Sequence, residues 1–198
     1  ELANRYMACE RPAEARIVLE KIVKQKPGDV LLISRLAEAC AAGGDMERAD
    51  QHFRATCSNA PPRPEPYVHW AALYLQDQSE HAEQILQEGL TRMSNQPSLL
   101  ILLGLIQVNR EEFKKAVAVF EKVERNLKDQ ETVVGPAPVF YFWYGVACER
   151  DGQFERAVEL FEKHIAAYPK AHNALNYVAY MWAEKGMHLD RAREYVQR

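Results

Sequence analysis

Apolar residues recur at helical spacing along nearly the whole chain. The segment "AEARIVLEKIV" places apolar side chains three and four residues apart from Ala15 to Val23, and "EEFKKAVAVFEKV" does the same from Phe113 to Val123. This spacing puts the apolar side chains on one face of a helix and leaves Lys and Glu on the other face. We find no convincing alternating strand and no Asn-Gly hairpin turn. The pattern therefore predicts an all-helical protein.

Short breaks rich in glycine and proline separate the predicted helices at regular intervals. They read "KPGD", "AGGD", "APPRPEP", "NQP", "VVGPAP", "RDGQ", "YPK" and "EKG". Breaks of this length between amphipathic helices are typical of antiparallel helix pairs. We therefore expect each helix to pack against the next one along the chain.

The sequence also contains internal repeats. The stretches "AAGGDMERADQHFRATC", "VNREEFKKAVAVFEKVE" and "ERDGQFERAVELFEKHI" align without gaps after their turns. Each contains an alanine followed four residues later by a phenylalanine: Ala49 and Phe53, Ala116 and Phe120, Ala157 and Phe161. Self-similarity of this kind indicates an array of repeats in which each unit covers the apolar face of its neighbour.

The repeated pattern resembles the tetratricopeptide repeat, a helix–turn–helix unit of about 34 residues. That family has a small residue on its first helix, then an alanine and a large residue on its second helix, and a proline near the end. The small residues here are Ala3, Ala37, Ala71, Gly104, Gly145 and Ala179. The second-helix alanines are Ala15, Ala49, Ala82, Ala116, Ala157 and Ala192, and the large residues are Leu19, Phe53, Leu86, Phe120, Phe161 and Val196. Prolines stand at Pro27, Pro61 and Pro169.

The resemblance implies an all-α, right-handed superhelical solenoid of about six helix pairs. We expect a single array over residues 1–198, with units at approximately 1–29, 30–63, 64–96, 97–130, 138–171 and 172–198 and an insert at 131–137. The third unit is one residue short in its turn, and the last has one residue more. Both end units are incomplete, as expected for a segment of a longer array.

Composition and charge limit the classes of partner that we expect the protein to bind. Hydrophobic residues make up 47% of the chain and charged residues 27%, and the net charge is −3 with both signs interspersed. Without a basic block or an apolar run of about 20 residues, we expect neither nucleic acid binding nor direct membrane insertion. The closing stretch "NALNYVAYMWAEKGMHLDRAREYVQR" resembles a repeat variant common in bacterial proteins, many of them envelope-associated. We therefore expect a bacterial source. The periplasmic side of the cell envelope and the cytoplasm are both possible locations.

No motif for chemistry stands out. Gly43 and Gly44 form a turn rather than a phosphate loop, and no Gly-x-Ser-x-Gly elbow or His-x-x-x-His pair occurs. The four cysteines are Cys9, Cys40, Cys57 and Cys148; they fit no zinc spacing, so we predict buried apolar residues, with a disulfide as the alternative. His164 is predicted to be a partly packed, hydrogen-bonded histidine. We expect no catalytic, cofactor or metal site, and hence no enzyme.

The resemblance implies that the first helix of each pair lines a concave groove. The groove slots are polar in the second unit, with Ser34, Arg35 and Glu38, and apolar to aromatic from the third unit onward. They mostly lack the Lys, Asn and Arg side chains of a carboxylate clamp, so we predict an apolar partner peptide or helix. The predicted groove residues are Val68, Leu75, Ile101, Leu102, Leu105, Val108, Val139, Phe142, Trp143, Val146, Tyr177 and Tyr180.

The run "FYFWY", residues 140–144, cannot face one core, because successive helical residues turn by about 100°. We predict that Tyr141 and Tyr144 face their partner helix, that Phe140 faces a neighbouring unit, and that Phe142 and Trp143 lie on the concave side. Two interpretations are open for the last two. They either pack on Leu102, Leu105 and Tyr177 of adjacent first helices, or they form a binding strip for a partner.

The function predicted from these patterns is a non-catalytic scaffold for protein–protein interaction. The alternative is an accessory module of a larger enzyme or of an envelope or secretion assembly. We also expect Tyr195 and Val196 to lack a covering repeat, which favours a weak homodimer through the C-terminal end.

Overall fold

The computed structural model describes residues 2–58, 61–129 and 139–197, and over these ranges the protein is helical with no strand. The predicted all-α fold class is thus confirmed, whereas the predicted insert at 131–137 lies outside the described residues. The helices are α1 Leu2–Ala8, α2 Pro12–Gln25, α3 Val30–Ala42, α4 Met46–Ser58, α5 Pro64–Ala72, α6 Ser79–Arg92, α7 Pro97–Asn109, α8 Phe113–Asp129, α9 Val139–Arg150, α10 Phe154–Ala167, α11 His172–Lys185 and α12 Leu189–Gln197.

Each odd-numbered helix packs against the even-numbered helix that follows it. Contacts join α1 to α2, α3 to α4, α5 to α6, α9 to α10 and α11 to α12, and α7 meets α8 where Gly104 faces Phe120. Further contacts join α2 to α3, α4 to α5, α8 to α9 and α10 to α11, so neighbouring pairs stack. These are the helix pairs that the sequence predicts.

The helix pairs are grouped into two compact units, Glu1–Leu102 and Leu103–Arg198. The largest fully buried side chains of the first unit are Phe53, Tyr67, Trp70, Leu86 and Leu99. Those of the second unit are Ile106, Phe120, Tyr144, Leu160, Phe161, Leu175 and Trp182. Full burial of one such side chain contributes about 1.5–3 kcal/mol, so each unit has an apolar core of its own.

A recurrent backbone turn ends the first helix of a pair. In five of the six described turns an N–H donates to the carbonyl five residues earlier, and the residue before the donor is left-handed. This is the Schellman termination of a helix. The donor and acceptor residues are Arg11 and Tyr6, Asp45 and Cys40, Glu112 and Gln107, Gln153 and Cys148, and Met187 and Trp182, at 2.8–2.9 Å. The left-handed residues are Glu10, Gly44, Glu111, Gly152 and Gly186.

The third pair turns differently, as its shorter sequence predicts. The N–H of Gln78 donates to the carbonyl of Tyr74 at 3.0 Å, which is four residues earlier rather than five. No residue between these two has a positive φ. Removing one residue from the turn thus replaces the Schellman closure by a tighter one, and the two helices of the pair still pack together.

Small residues let the helices of a pair cross closely. A Cβ added to Gly104 would lie 2.4 Å from Phe120 Cε1, and one added to Gly145 would lie 2.9 Å from Phe161 Cε1. Since carbon atoms in contact are about 3.5–4.0 Å apart, each phenylalanine ring occupies the space that a side chain would need. The aligned slots Ala37 and Ala71 hold alanines that are 0% exposed.

Polar groups bridge successive pairs inside each unit. The Asp50 carboxylate on α4 accepts hydrogen bonds from Trp70 Nε1 and from the Tyr74 hydroxyl, both at 2.7 Å. Burial and this bond to Asp50 raise the pKa of Tyr74 to about 12. In the second unit, Glu124 on α8 accepts from Arg156 on α10 at 2.6 Å. Hydrogen bonds to charged groups contribute about 1.5–3 kcal/mol, so these bridges favour one stacking register.

Two sequence expectations need correction. Cys40, Cys57 and Cys148 are buried as predicted and all four cysteines are free thiols, but Cys9 is exposed in the turn after α1. At the C-terminal end, Val196 is 65% exposed, whereas Tyr195 is only 8% exposed. Tyr195 is covered because its ring packs on Trp182 of α11 at a centroid distance of 5.2 Å. The weak homodimer through this end stays a prediction.

None of the described helices is both long enough and apolar enough to cross a lipid bilayer.

Candidate functional site

The predicted groove residues lie on the first helices of their pairs or directly after them. Those of the first unit are Val68, Leu75, Ile101 and Leu102, and all four are partly buried. Leu75 lies in the turn that follows α5. Those of the second unit are Leu105, Val108, Val139, Phe142, Trp143, Val146, Tyr177 and Tyr180.

Exposure divides the residues of the second unit. Val139 is 48% exposed and Tyr180 is 64% exposed, whereas Val108 is only 7% exposed. The structure therefore places Val108 in the core and not on an open surface. Phe142, Trp143 and Tyr177 are partly buried and keep part of their rings accessible.

The run "FYFWY" distributes its rings in several directions around α9. Phe140 is buried against Phe120 of α8 at a centroid distance of 5.6 Å. Tyr144 is buried as well; it contacts Phe120 at 5.6 Å and lies under the guanidinium group of Arg156 on α10. The ring of Tyr141 faces α10, where it lies below the Lys163 ammonium group. Phe140 and Tyr141 thus point as predicted, and Tyr144 contacts both neighbours.

Phe142 and Trp143 form the accessible end of the run. The Phe142 ring contacts Phe161 at 5.7 Å and His164 at 5.5 Å on α10, and Tyr177 on α11 at 6.2 Å. Trp143 packs edge-on against Phe142 at 5.4 Å. Phe142 therefore fills the junction between its own pair and the next one, while Trp143 covers it from outside.

Polar side chains on the first helices contact each other from pair to pair. Arg35 Nη1 on α3 donates to Asn4 Oδ1 on α1 at 3.2 Å. His69 Nδ1 on α5 lies 2.8 Å from Glu38 Oε1 on α3. In the second unit, the Tyr177 hydroxyl on α11 donates to Glu149 on α9 at 2.9 Å. These polar groups of the predicted groove are thus already engaged within the protein.

A pocket of about 460 Å³ opens beside Phe142 and Trp143. It lies between the start of α9, the end of α10 and the turn that leads into α11, and we call it the α9–α11 pocket. Its lining residues are Val139, Phe142, Trp143, His164, Lys170, Ala171, His172 and Asn173. A depression of about 590 Å³ shares Val139, His164, Lys170 and Ala171 with it and extends over Ala167, Tyr168 and Pro169.

The first unit has a pocket at the equivalent place, between α3, the end of α4 and the turn into α5. This α3–α5 pocket measures about 570 Å³ and is lined by Pro27, Gly28, Asp29, Val30, Leu31, Thr56, Pro61 and Arg63. Three lining residues of the two pockets are equivalent and 108 positions apart: Leu31 and Val139, Thr56 and His164, Arg63 and Ala171. Ser34 and Arg35, which are equivalent to Phe142 and Trp143, do not line the α3–α5 pocket. At these two positions of the first helix, polar residues of the first unit are replaced by aromatic residues in the second unit.

The sequence did not single out His164, Lys170 and His172 as lining residues of a site. His164 is 8% exposed and packs between the rings of Phe142 and Tyr168, as the prediction of a packed histidine requires. The signal in the sequence was the alignment of His164 with Thr56, which replaces a small polar residue by a large aromatic one. Lys170 lies in the turn after α10 and His172 is the first residue of α11. Their position relative to α9 follows only from the packing.

Burial keeps the thiols of two cysteines and the hydroxyl of Tyr177 protonated at neutral pH. Burial raises the pKa of the Cys148 thiol to about 12 and that of Cys57 also to about 12. Burial and the bond to Glu149 raise the pKa of Tyr177 to about 12, so its hydroxyl stays a hydrogen-bond donor at neutral pH. Among the described residues, no three His, Cys, Asp or Glu side chains are placed to hold a metal ion.

Comparison with solved structures identifies the fold. The protein is similar to MamA 41-end from Desulfovibrio magneticus RS-1, with a TM-score of 0.67 and 18% identity over 85% of this chain and 91% of that one. It is similar to PilF from Pseudomonas aeruginosa, with a TM-score of 0.71 and 17% identity over 98% and 85%. A tetratricopeptide repeat protein from Parabacteroides merdae gives a TM-score of 0.67 and 15% identity over 100% and 75%.

A comparison with curated protein sequences finds no match. The family model of the tetratricopeptide repeat, in contrast, matches residues 1–64, 101–172 and 150–198, which together are most of the chain. With this match, the stacked helix pairs and the similarity to solved repeat structures, the chain belongs to the tetratricopeptide repeat family.

Proposed function

We propose that the protein is a non-catalytic scaffold that binds a peptide or helix of a protein partner on an apolar surface of its second unit. This aromatic surface consists of Val139, Phe142, Trp143 and Tyr177. Tetratricopeptide repeat proteins are generally interaction scaffolds without catalytic activity, and the fold of this chain is consistent with that role.

The observation that carries the proposal is the contrast between equivalent positions on the first helices α3 and α9. At one repeat position the first unit has Ser34 and Arg35, and the second unit has Phe142 and Trp143. Phe142, Trp143 and Tyr177 are partly accessible, and aromatic residues that stay accessible at a surface often mark an interaction site. Trp and Tyr are also the side chains that most often anchor protein interfaces.

The polar contacts on the first helices support an apolar mode of recognition. Arg35 is held by Asn4, and Glu38 lies next to His69, so these groups are already engaged within the chain. A partner that used them would have to replace existing contacts. Burial of apolar surface at Trp143 involves no such exchange, and this apolar contribution to binding should depend little on salt.

The remaining predicted groove residues of the second unit belong to the proposed interface as well. They are Leu105, Val146 and Tyr180. We assign them the outer part of the interface, where contacts exclude water around the anchors and each contributes little by itself. A bacterial source is part of the proposal, in line with the bacterial organisms of the similar structures described above.

Affinity isolation from the native organism tests the proposal with single substitutions. Trp143→Glu and Val139→Glu place a carboxylate on the aromatic surface, while Leu31→Glu makes the change at the position equivalent to Val139, where the side chain is 58% exposed. We avoid Phe142→Glu because the Phe142 ring contacts Phe161 and His164 inside the protein. Loss of an anchor costs about 2 kcal/mol or more, a factor of about 30 in affinity.

Circular dichroism first confirms that all three variants are as helical as the parent chain. The proposal expects the same partner with the parent chain and with Leu31→Glu, and none with Trp143→Glu or Val139→Glu. Recovery of the same partner in the same yield by folded Trp143→Glu would show that the aromatic side chains only pack the protein.

A further inference from the structure

We propose that the α9–α11 pocket receives one large apolar side chain of the partner, and that Lys170 and His172 at its rim bind a carboxylate adjacent to that side chain. This inference rests on the proposed function and specifies the chemistry of its partner: a peptide segment in which an aromatic or branched aliphatic residue stands next to Asp, Glu or a C-terminal carboxylate.

The size and walls of the pocket accommodate a large side chain together with the group adjacent to it. Pockets of about 300–1,000 Å³ hold small-molecule ligands, and the 460 Å³ of this pocket lie within that range. Val139 and Trp143 form apolar walls, and the buried His164 ring lies between Phe142 and Tyr168 at centroid distances of 5.5 and 5.3 Å. An aromatic side chain in the pocket would contact edges and faces of aromatic rings on several sides. Such an aromatic pair adds about 0.5–1.5 kcal/mol to the binding free energy beyond the burial of apolar area.

The charges of the lining residues indicate which chemical group of the partner lies next to that apolar side chain. The chain has 28 acidic residues and a net charge of −3, yet the lining of the α9–α11 pocket contains Lys170 and His172 and no Asp or Glu among the described residues. The equivalent α3–α5 pocket has charges of both signs, Asp29 and Arg63. A rim lysine without a counter-charge is complementary to an anionic group on the partner, and the His172 ring adds a hydrogen-bond donor.

Lys170 is available for that group. It is exposed in the turn between α10 and α11, and within the described part of the chain no carboxylate lies at ion-pair distance from its ammonium group. The other lysine at this end of α10, Lys163, is by contrast paired with Glu124 at 3.4 Å. One lysine and one histidine match a single carboxylate and do not form the basic patch that a phosphate backbone requires.

Selection of random twelve-residue peptides on the immobilised protein supplies the probe. Each selected peptide is then synthesised with a fluorophore, and its affinity is measured by fluorescence polarisation. The panel of proteins contains the parent chain, Trp143→Ala, Lys170→Glu and Lys26→Glu. Lys26 is an exposed lysine near the turn between α2 and α3, so its substitution makes the same charge change away from the pocket.

The inference expects selected peptides to share a large apolar residue next to Asp or Glu. Lys170→Glu should weaken their binding by about 5- to 10-fold at low salt, since an exposed ion pair is lost and a repulsion is added. Lys26→Glu should change it less than 2-fold, as expected for an exposed charge that does not line the pocket. Replacing the peptide's Asp by Asn should remove the difference between the parent chain and Lys170→Glu.

The outcomes separate this inference from the proposed function. If Trp143→Ala abolishes binding and Lys170→Glu leaves it unchanged in folded protein, the carboxylate contact is wrong and the aromatic surface remains the binding site. If no selected peptide depends on Trp143, both the inference and the proposed function are wrong. Equal losses for Lys170→Glu and Lys26→Glu would indicate general electrostatic attraction and would likewise overturn the inference.

Discussion

The close crossing of α7 and α8 can be tested by adding a single methyl group. In Gly104→Ala the new Cβ would stand 2.4, 2.6 and 2.9 Å from three ring carbons of Phe120. The ring cannot simply turn away, because Phe120 is 0% exposed and contacts Phe140 and Tyr144 at centroid distances of 5.6 Å. We therefore expect the protein to accommodate the methyl group only by shifting the helices.

The magnitude follows from two opposing effects. Overpacking a well-filled core costs about 1–3 kcal/mol, whereas replacing glycine by alanine inside a helix gains about 1 kcal/mol of helix propensity. The net loss in the free energy of unfolding should be up to about 2 kcal/mol. Gly145→Ala should cost less, because its Cβ would stand 2.9 Å from the nearest carbon of Phe161. Gly28→Ala should cost nothing, since no atom lies within 4 Å of its Cβ.

A second substitution should rescue the first. The third helix pair has alanine and leucine at these two positions, Ala71 and Leu86, and both are 0% exposed. Gly104→Ala combined with Phe120→Leu installs the same pair of residues in the second unit. Residues in contact show coupling energies of about 0.5–3 kcal/mol, and here the double variant should be more stable than the sum of the single effects by about 1–2 kcal/mol.

Urea unfolding followed by circular dichroism gives the four free energies of this cycle. Hydrogen exchange then shows where the single variant opens, and we expect the loss of protection to be greatest in α7 and α8. Additivity of the two substitutions within about 0.5 kcal/mol would refute the reasoning, because the ring of Phe120 would then not be what excludes a side chain from position 104.

Two further predictions concern backbone strain and pH. Glu111 adopts φ 58° at the turn position where Gly152 has φ 83°, so Glu111→Gly should stabilise the protein, and Gly152→Ala should destabilise it, each by up to about 1 kcal/mol in thermal or urea unfolding. Burial raises the pKa of Cys57 and Cys148 from 9.0 to about 12. The folded state therefore keeps protons that the unfolded state loses, so the free energy of unfolding should fall as the pH rises from about 9 to about 12; an unchanged value in reducing buffer at pH 8 and pH 11 would contradict this.

Much of the fold could be predicted because each repeat obeys the same few packing constraints. Gly104 and Gly145 occur where a phenylalanine of the partner helix fills the crossing, and Ala71 occurs where leucine does. The two residues of each pair are close in sequence, and the pairs recur at a regular spacing along the chain. They can therefore be recognised from the sequence. The missing residue in the third turn could be identified for the same reason, and the structure shows the tighter closure at Gln78.

The exposure of individual groove positions could not be predicted in this way. Val108 and Tyr180 occupy equally plausible slots of the repeat, yet they are 7% and 64% exposed. The difference depends on what packs over each slot, which involves side chains from other helices. Tyr195 was expected to be uncovered for the same reason, and its burial depends on the orientation of Trp182.

The pocket beside Trp143 was beyond the reach of sequence reasoning because it combines residues from three separate elements. His164 on α10 and Lys170 in the following turn meet Val139 at the start of α9 only after the pairs have stacked. The repeat alignment indicates which positions are equivalent, such as Thr56 and His164, but not that these positions line a cavity. That information comes from the geometry of the turn.

The most direct test of the central claim places a photoreactive amino acid, benzoylphenylalanine, at residue 139 and, in a separate protein, at the equivalent residue 31. Both native side chains are about half exposed, with Val139 at 48% and Leu31 at 58%. Illumination of the native cells should yield one discrete crosslinked partner from position 139, and that product should disappear when Trp143→Glu is introduced. Equal crosslinking from positions 31 and 139, or a product that persists with Trp143→Glu in folded protein, would contradict a partner site on the aromatic surface.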